Sequence, residues 1–171
     1  LVRDTMVHPD GYLQLYFTSD WEAISHRDSS REYILEHLGI DHQSFGHDIE
    51  TAYLIMDAAK ALHGKVDPQS LKQAKILTDH SLQYGFDENY YGLFDRGYRF
   101  LPDRKMEIVN DQKVWWAQAE AWHTLALMSE YFPEEEIYQQ AFRQMWTYIR
   151  QEMIDPEHGG WYNNGLDTDP D

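Results

Sequence analysis

The sequence predicts an all-α fold built from antiparallel helix hairpins. Two helix-opening segments, residues 45–50 and 113–120, each combine a glutamate with a histidine or tryptophan, and these glutamates lie 70 residues apart (120 − 50). Two acidic turns rich in glycine and aromatic residues, at 87–94 and 155–162, are offset by 68 residues (155 − 87). A fainter copy of the turn occupies residues 8–13. Self-similarity at the period of one helix hairpin is typical of helical arrays.

Composition limits the class of protein. With 171 residues, of which 42% are hydrophobic and 15% aromatic, the chain can bury one sizeable core, and we expect residues 1–171 to form a single unit. Thirty acidic and 14 basic residues give a net charge of −16, which disfavours nucleic acids and anionic membranes as partners. The absence of cysteine agrees with a reducing compartment, so we expect a cytoplasmic location.

The first quarter of the chain carries few helical signals. Residues 12–17 alternate and are aromatic, which predicts a short strand or an extended segment on the rim. Residues 18–44 are polar and rich in histidine, so we expect a long loop with one helical turn at about 30–36. Long loops of this kind are disproportionately functional.

Four helices follow, in two hairpins. Their apolar residues keep helical spacing over approximately 44–62, 68–85, 111–131 and 134–153. Ser44 is a plausible N-cap of the first helix, Pro68 lies near the start of the second, and Pro133 separates the third from the fourth. The connections within hairpins are short and those between hairpins are long, which places the long loops on one common rim.

The helix-opening segments supply the candidate site. His47 and Glu50 are three residues apart and Trp116 and Glu120 are four apart, so each pair shares a helical face. If both helices run the same way, the four side chains converge at one mouth of the array. An imidazole beside a carboxylate can act as a general acid or base, and a tryptophan provides a platform for the C–H face of a sugar. The structural alternative is that His47 only stabilises a helix end and that the tryptophans belong to the core.

Three segments carry a resemblance to a known family. The sequences GHDIE at 46–50, KVWWAQAE at 113–120 and IDPEHGGW at 154–161 resemble the cellobiose 2-epimerase branch of the N-acylglucosamine 2-epimerase family, and the similarity covers nearly the whole chain. The resemblance implies an (α/α)6 barrel. It also implies inversion at C2 of a reducing-end glucose without a metal or other cofactor, in which the ring opens, a histidine removes the C2 proton, and a second histidine reprotonates the cis-enediolate.

The resemblance assigns roles to the four candidate residues. His47 matches the first acid/base histidine, Glu50 the neighbouring carboxylate, Trp116 the aromatic platform and Glu120 the polar helix residue. It also places the N-terminal half of the barrel, and the segment with the second histidine, outside residues 1–171. We therefore expect the rest of its own barrel to be a partner, a small sugar to be the substrate, and the isolated chain to be inactive.

Two further expectations follow from an incomplete barrel. Large aromatic side chains such as Tyr53 or Trp146 should be more exposed than their character warrants. The other histidines match no catalytic position of the family and are expected to be mostly solvated, with His158 the best candidate among them for a role. These residues are His8, His26, His37, His42, His63, His80 and His158.

Other classes of function remain open from the residues alone. Glu120 and His123 have the Glu-x-x-His spacing of di-iron proteins, with Glu50 as a further carboxylate. An inverting glycoside hydrolase on the same type of barrel could use Asp48, Glu50 or Glu120 as its acid and base. A non-catalytic carbohydrate-binding fragment would also tolerate an aromatic rim.

Overall fold

Helices make up most of the structure, a computed structural model that describes residues 1–167. Residues 168–171 of the expected unit lie outside this described part. The α-helices are α1 (Arg31–Glu36), α2 (Phe45–His63), α3 (Pro68–Tyr84), α4 (Trp115–Tyr131) and α5 (Glu136–Tyr148). There are also two short π-helical segments. Val2–Met6 precedes the first loop, and Ile149–Met153 directly follows α5. The four long helices confirm the predicted hairpins.

Local capping explains where α2 and α3 begin and end. The Ser44 side chain accepts a hydrogen bond from the backbone N–H of His47, and Gly64 closes α2 with a φ of 74°. Asp67 caps α3 through the backbone N–H groups of Gln69 and Ser70. Such caps satisfy backbone groups that have no partner within the helix.

The core lies where the two hairpins meet. Helix α3 packs against α2, α5 packs against α4, and α2 contacts α4. Burial of these apolar faces supplies the main driving force for folding. The fully buried side chains of this core include Phe45, Ile49, Met56, Leu77, Leu125, Met128, Met145 and Tyr148.

A small antiparallel sheet on the rim was not predicted. Its strands β1 (Gln43–Ser44), β2 (Arg96–Arg99) and β3 (Met106–Asn110) lie in the order β1-β2-β3. Strand β3 ends at Asn110, and α4 begins at Trp115 and not near residue 111 as expected. Residues 12–17 form the extended segment expected, with isolated bridges at Leu13 and Phe17 in place of a regular strand.

The expectations for exposure are met in part. Trp146 is 38% exposed and stacks on Trp122, but Tyr53 is half-buried. The histidines are less solvated than expected, because His42 and His80 are buried. Three more of the seven, His8, His26 and His37, are half-buried. The remaining two, His63 and His158, are exposed.

Membrane-spanning helices are absent from residues 1–167, where no helix is long and apolar enough to cross a bilayer.

Candidate functional site

The first turn of α2 presents His47 to solvent. Its imidazole is exposed, and its Nδ1 lies 2.7 Å from the hydroxyl of Ser44, the residue that also caps the helix. One hydroxyl therefore anchors the helix start and fixes the orientation of the ring. In the tautomer with a proton on Nδ1, that nitrogen donates to Ser44 Oγ and Nε2 keeps its lone pair. This arrangement leaves Nε2 available for proton transfer.

Trp116, in the first turn of α4, lies against His47. The two ring centroids are 5.0 Å apart, and the rings meet edge to face at 64°. The approach depends on Gly46, because a Cβ at that position would lie 2.7 Å from the Trp116 ring and 2.9 Å from Ala117 Cβ. The structure thus brings these two predicted site residues into contact through a glycine between the helices.

A further contact fixes the two site helices relative to one another. The buried hydroxyl of Thr124 donates to the Ile49 carbonyl at 2.9 Å, farther along the α2–α4 interface. Together with the close approach at Gly46, this bond holds the first turns of both helices in one position. Preorganisation of this kind is what a catalytic site requires.

Tyr53, which was not predicted to belong to the site, lies near both predicted carboxylates. Glu50 and Glu120 are half-buried, and burial together with the charges of Glu120 and Glu50 raises the pKa of Tyr53. The Tyr53 ring also lies perpendicular to His123, with centroids 4.8 Å apart. A sequence signal existed, since His47, Glu50 and Tyr53 recur every three residues along one side of a helix.

Asp48 does not belong to this site, and its place among the candidate hydrolase carboxylates was wrong. Its carboxylate is completely buried, accepts the Leu13 backbone N–H at 2.7 Å and lies 3.0 Å from His80 Nδ1. Burial raises the pKa of Asp48, while the hydrogen bond with His80 opposes that rise. One residue along a helix is a rotation of about 100°, which turns Asp48 inward while His47 faces out.

The other polar residues of the second repeated motif hold the rim together. Buried Lys113 forms ion pairs with Asp87 at 2.8 Å and Asp167 at 2.6 Å. Burial acts to raise the pKa of Asp87, but Lys113 and two backbone N–H groups lower it overall. Gln118 bonds both the N–H and the carbonyl of Leu93 through its side-chain amide. These residues position loops and do not reach the candidate site.

The di-iron alternative has no supporting cluster in the described chain. Within residues 1–167, no three histidine, aspartate or glutamate side chains are grouped so that they could hold a metal ion. His123 instead contacts the Tyr53 ring.

Comparison with curated proteins places this geometry in context. The chain is 24% identical over 165 residues to the cellobiose 2-epimerase of Eubacterium cellulosolvens, which covers 95% of the chain and 35% of that protein. It is also 24% identical over 156 residues to the cellobiose 2-epimerase of Bacteroides fragilis, covering 88% of the chain and 33% of the relative. The chain therefore spans about a third of the length of these relatives.

Solved structures establish the fold. A cellobiose 2-epimerase from Bacillus thermoamylovorans superimposes with a TM-score of 0.72 at 25% identity, covering 96% of this chain and 36% of that one. A D-mannose isomerase superimposes with a TM-score of 0.75 at 22% identity, over 95% of this chain and 39% of that one. The two helix hairpins are accordingly part of an (α/α)6 barrel. The sequence model of N-acylglucosamine 2-epimerase (GlcNAc 2-epimerase) matches residues 1–169, and the chain belongs to that family.

Proposed function

We propose that the intact protein is a sugar 2-epimerase that inverts C2 of a reducing-end glucose residue, with a cellobiose-type disaccharide as substrate. The observation that carries this proposal is the contact between the exposed imidazole of His47 and the ring of Trp116 at the openings of two neighbouring helices. The relatives named cellobiose 2-epimerase support the same reaction class.

His47 is the proposed base. Once the sugar ring opens, C2 lies next to an aldehyde, and its proton becomes acidic because the negative charge left behind spreads onto the carbonyl oxygen. A neutral imidazole with a free Nε2 lone pair can take this proton near neutral pH. The contact with Ser44 occupies Nδ1 at 2.7 Å, so Nε2 is the ring nitrogen left to act on the substrate.

Trp116 and the two glutamates position the substrate in this proposal. The half-buried ring of Trp116 offers an apolar surface for the C–H face of the sugar. Glu50 and Glu120 accept hydrogen bonds from sugar hydroxyls, and Tyr53, whose pKa both carboxylates raise, is an additional donor. Fixed polar groups around the developing enediolate lower the barrier to its formation.

Inversion requires a second proton donor on the opposite face of the planar enediolate. We propose that a histidine outside this sequence supplies that proton, and that the remaining helices of the barrel complete the pocket. The 171-residue chain alone is then expected to be inactive, because it carries one of the two acid/base groups.

Product analysis separates this proposal from glycoside hydrolysis. The full natural polypeptide that contains this sequence is incubated with cellobiose, and the sugars are resolved by chromatography. An epimerase converts cellobiose into the disaccharide with mannose at its reducing end and releases no monosaccharide. Release of free glucose without the new disaccharide would instead identify a glycoside hydrolase.

A further inference from the structure

One contact in the first turn of α2 is repeated in the first turn of α4. The Leu13 backbone N–H donates to the Asp48 carboxylate at 2.7 Å, and the Leu93 backbone N–H donates to the Gln118 side-chain oxygen at 2.7 Å. Asp48 and Gln118 lie 70 residues apart (118 − 48), which is the period of the helix-opening segments, and both are completely buried. Each leucine closes a rim turn with an isolated bridge. The two site helices are therefore tied to the rim in the same way.

Asp48 and Gln118 differ in what else they bond. The Gln118 amide also donates to the Leu93 carbonyl at 2.9 Å, so it satisfies both backbone groups of one residue. An ionised carboxylate only accepts hydrogen bonds, and the second oxygen of Asp48 instead lies 3.0 Å from Nδ1 of His80 on α3. Asp48 thus connects three parts of the fold, namely the N-terminal segment, α2 and α3.

The surroundings of His80 determine which of its ring nitrogens carries the hydrogen. The ring is buried, and the rings of Tyr12, Phe45 and Tyr84 lie around it with centroids 5.1–6.0 Å away. Its Nε2 has no hydrogen-bond partner in the described chain. A hydrogen on Nε2 would have no acceptor there, and Nδ1 would then face the carboxylate with a lone pair. The hydrogen therefore lies on Nδ1, which donates to Asp48.

The two bonds to Asp48 determine how the first turn of α2 is rotated about the helix axis. Asp48 and His47 are consecutive, so their side chains leave the helix about 100° apart. Because Asp48 is held on the inner side by its two hydrogen bonds, His47 is directed outward, where it meets Trp116. The Ser44 hydroxyl then fixes the imidazole ring itself at 2.7 Å. Asp48 thus controls the backbone of the turn, and Ser44 controls the ring.

We propose that Asp48 is a positioning residue for the epimerisation and sets the direction from which His47 approaches C2 of the sugar. This inference rests on the proposed role of His47 as the base. Asp48 does not touch the substrate, because its side chain is completely buried, and it acts only through the backbone of its neighbour. A displacement of about 1 Å at a reacting group can slow an enzyme on the order of 10²-fold. Loss of the two bonds to Asp48 should therefore reduce turnover strongly.

Two substitutions of similar shape separate positioning from stability. Asp48→Asn keeps an oxygen for the Leu13 N–H, whereas Asp48→Leu keeps no hydrogen bond. Both variants should lose stability in urea, because both break the present bond with His80. In Asp48→Asn the amide nitrogen faces Nδ1, so the hydrogen of His80 must move to Nε2, where it has no acceptor. Only Asp48→Leu also releases the first turn of α2 from the N-terminal segment.

The position of His47 is measured by NMR on the full natural polypeptide with ¹³C-labelled histidine, and His47→Asn identifies its signals. The His47 imidazole protons sense the ring current of Trp116, whose ring centroid is 5.0 Å away. We expect Asp48→Asn to keep the chemical shifts of these protons and Asp48→Leu to move them toward the values of a histidine in water. This measurement requires no turnover.

Steady-state kinetics with cellobiose gives the second readout, with rates expressed per folded protein. Asp48→Leu should lower kcat by roughly 10–10²-fold and leave KM within about threefold, because the platform on α4 is unchanged. Asp48→Asn should keep kcat within about threefold of the unmodified protein, although it is also destabilised. A role limited to stability would affect the two variants alike.

If Asp48→Leu does not fold, His80→Asn and His80→Leu test the other bond of Asp48 in the same way. Asparagine keeps a side-chain N–H near the place of Nδ1, and leucine of similar size keeps none. Unchanged His47 shifts and kcat in a folded leucine variant, or equal losses in both members of a pair, would overturn the proposal. No C2 exchange by the unmodified protein would refute the proposed function instead, and the NMR comparison would still show whether Asp48 positions His47.

Discussion

The imidazole of His47 meets the ring of Trp116 edge to face, with their centroids 5.0 Å apart, although the two residues lie 69 positions apart in the chain (116 − 47). The contact exists because α2 and α4 approach each other at Gly46, where a side chain would collide with Trp116. Each helix start supplies one group, so the packing of the two hairpins builds the candidate site.

Gly46→Ala should disturb this packing. The new methyl group would lie 2.7 Å from the Trp116 ring and 2.9 Å from Ala117 Cβ, and overpacking of this kind typically costs about 1–3 kcal/mol. We expect a lower free energy of unfolding in urea and reduced turnover. Gly39→Ala is the control, because nothing lies within 4 Å of a Cβ at that position. Equal stability of the two variants would mean that the helices can separate without penalty.

Trp116→Ala should act mainly on substrate binding. Loss of the proposed platform is expected to raise KM by roughly tenfold, which corresponds to about 1.4 kcal/mol of binding energy, with a smaller effect on kcat. Steady-state kinetics on the full natural polypeptide measures both constants. Trp21→Ala, which removes another partly exposed ring outside the site, should leave both unchanged. A variant with an unchanged KM would assign Trp116 to the core alone.

Lys113→Met should destabilise the rim. The substitution leaves the carboxylates of Asp87 and Asp167 without their buried partner, and breaking a buried ion pair typically costs about 3–5 kcal/mol. Lys105→Met is the matched control, because Lys105 is 82% exposed and its pair with Asp103 is screened by solvent, so its loss should change the stability little. Urea unfolding measures the loss of stability in each variant. Similar losses of unfolding free energy in the two variants would show that the buried ion pairs of Lys113 add nothing beyond a surface contact.

Acidification should destabilise the protein in part through Asp87. Its pKa is lower in the folded state than the unfolded value of about 3.9, so the folded form binds fewer protons. The contribution of Asp87 to the free energy of unfolding is fully present above the unfolded pKa, and it is lost as the pH falls through the folded pKa. Urea unfolding between pH 7 and pH 3 should therefore show a shallower loss of stability in Asp87→Asn than in the unmodified protein. Identical pH profiles would contradict this role.

Sequence reasoning identified those features that depend on local chemistry. The start of α2 at Ser44 was predictable because the cap and its target N–H lie three residues apart. The shared face of His47 and Glu50 follows from helix geometry alone. The placement of His47 and Trp116 at the same end of the helical array was predictable from the repeat. The two residues occupy equivalent positions near the starts of the first helices of two successive hairpins.

Features set by long-range contacts were missed. The pairing of Gln43 with Gly97 joins a two-residue strand to one more than 50 positions away, and neither strand has an alternating pattern. The inward direction of Asp48 depends on the buried His80 and on the Leu13 backbone, which no short motif reveals. Tyr53 was read as an ordinary apolar helix residue because its proximity to Glu120 exists only once α2 and α4 have packed.

Exchange of the C2 hydrogen with solvent tests the central claim most directly. The full natural polypeptide is incubated with cellobiose in heavy water, and deuterium at C2 of the reducing-end residue is followed by NMR. The unmodified protein should exchange this position, and His47→Asn should lose roughly 10²–10⁴-fold of the rate, the contribution of one general acid or base. His63→Asn, at an exposed residue on the far end of α2, should exchange at the unmodified rate. Full C2 exchange by a folded His47→Asn protein, or no exchange by the unmodified protein, would contradict the assignment of His47 as the base.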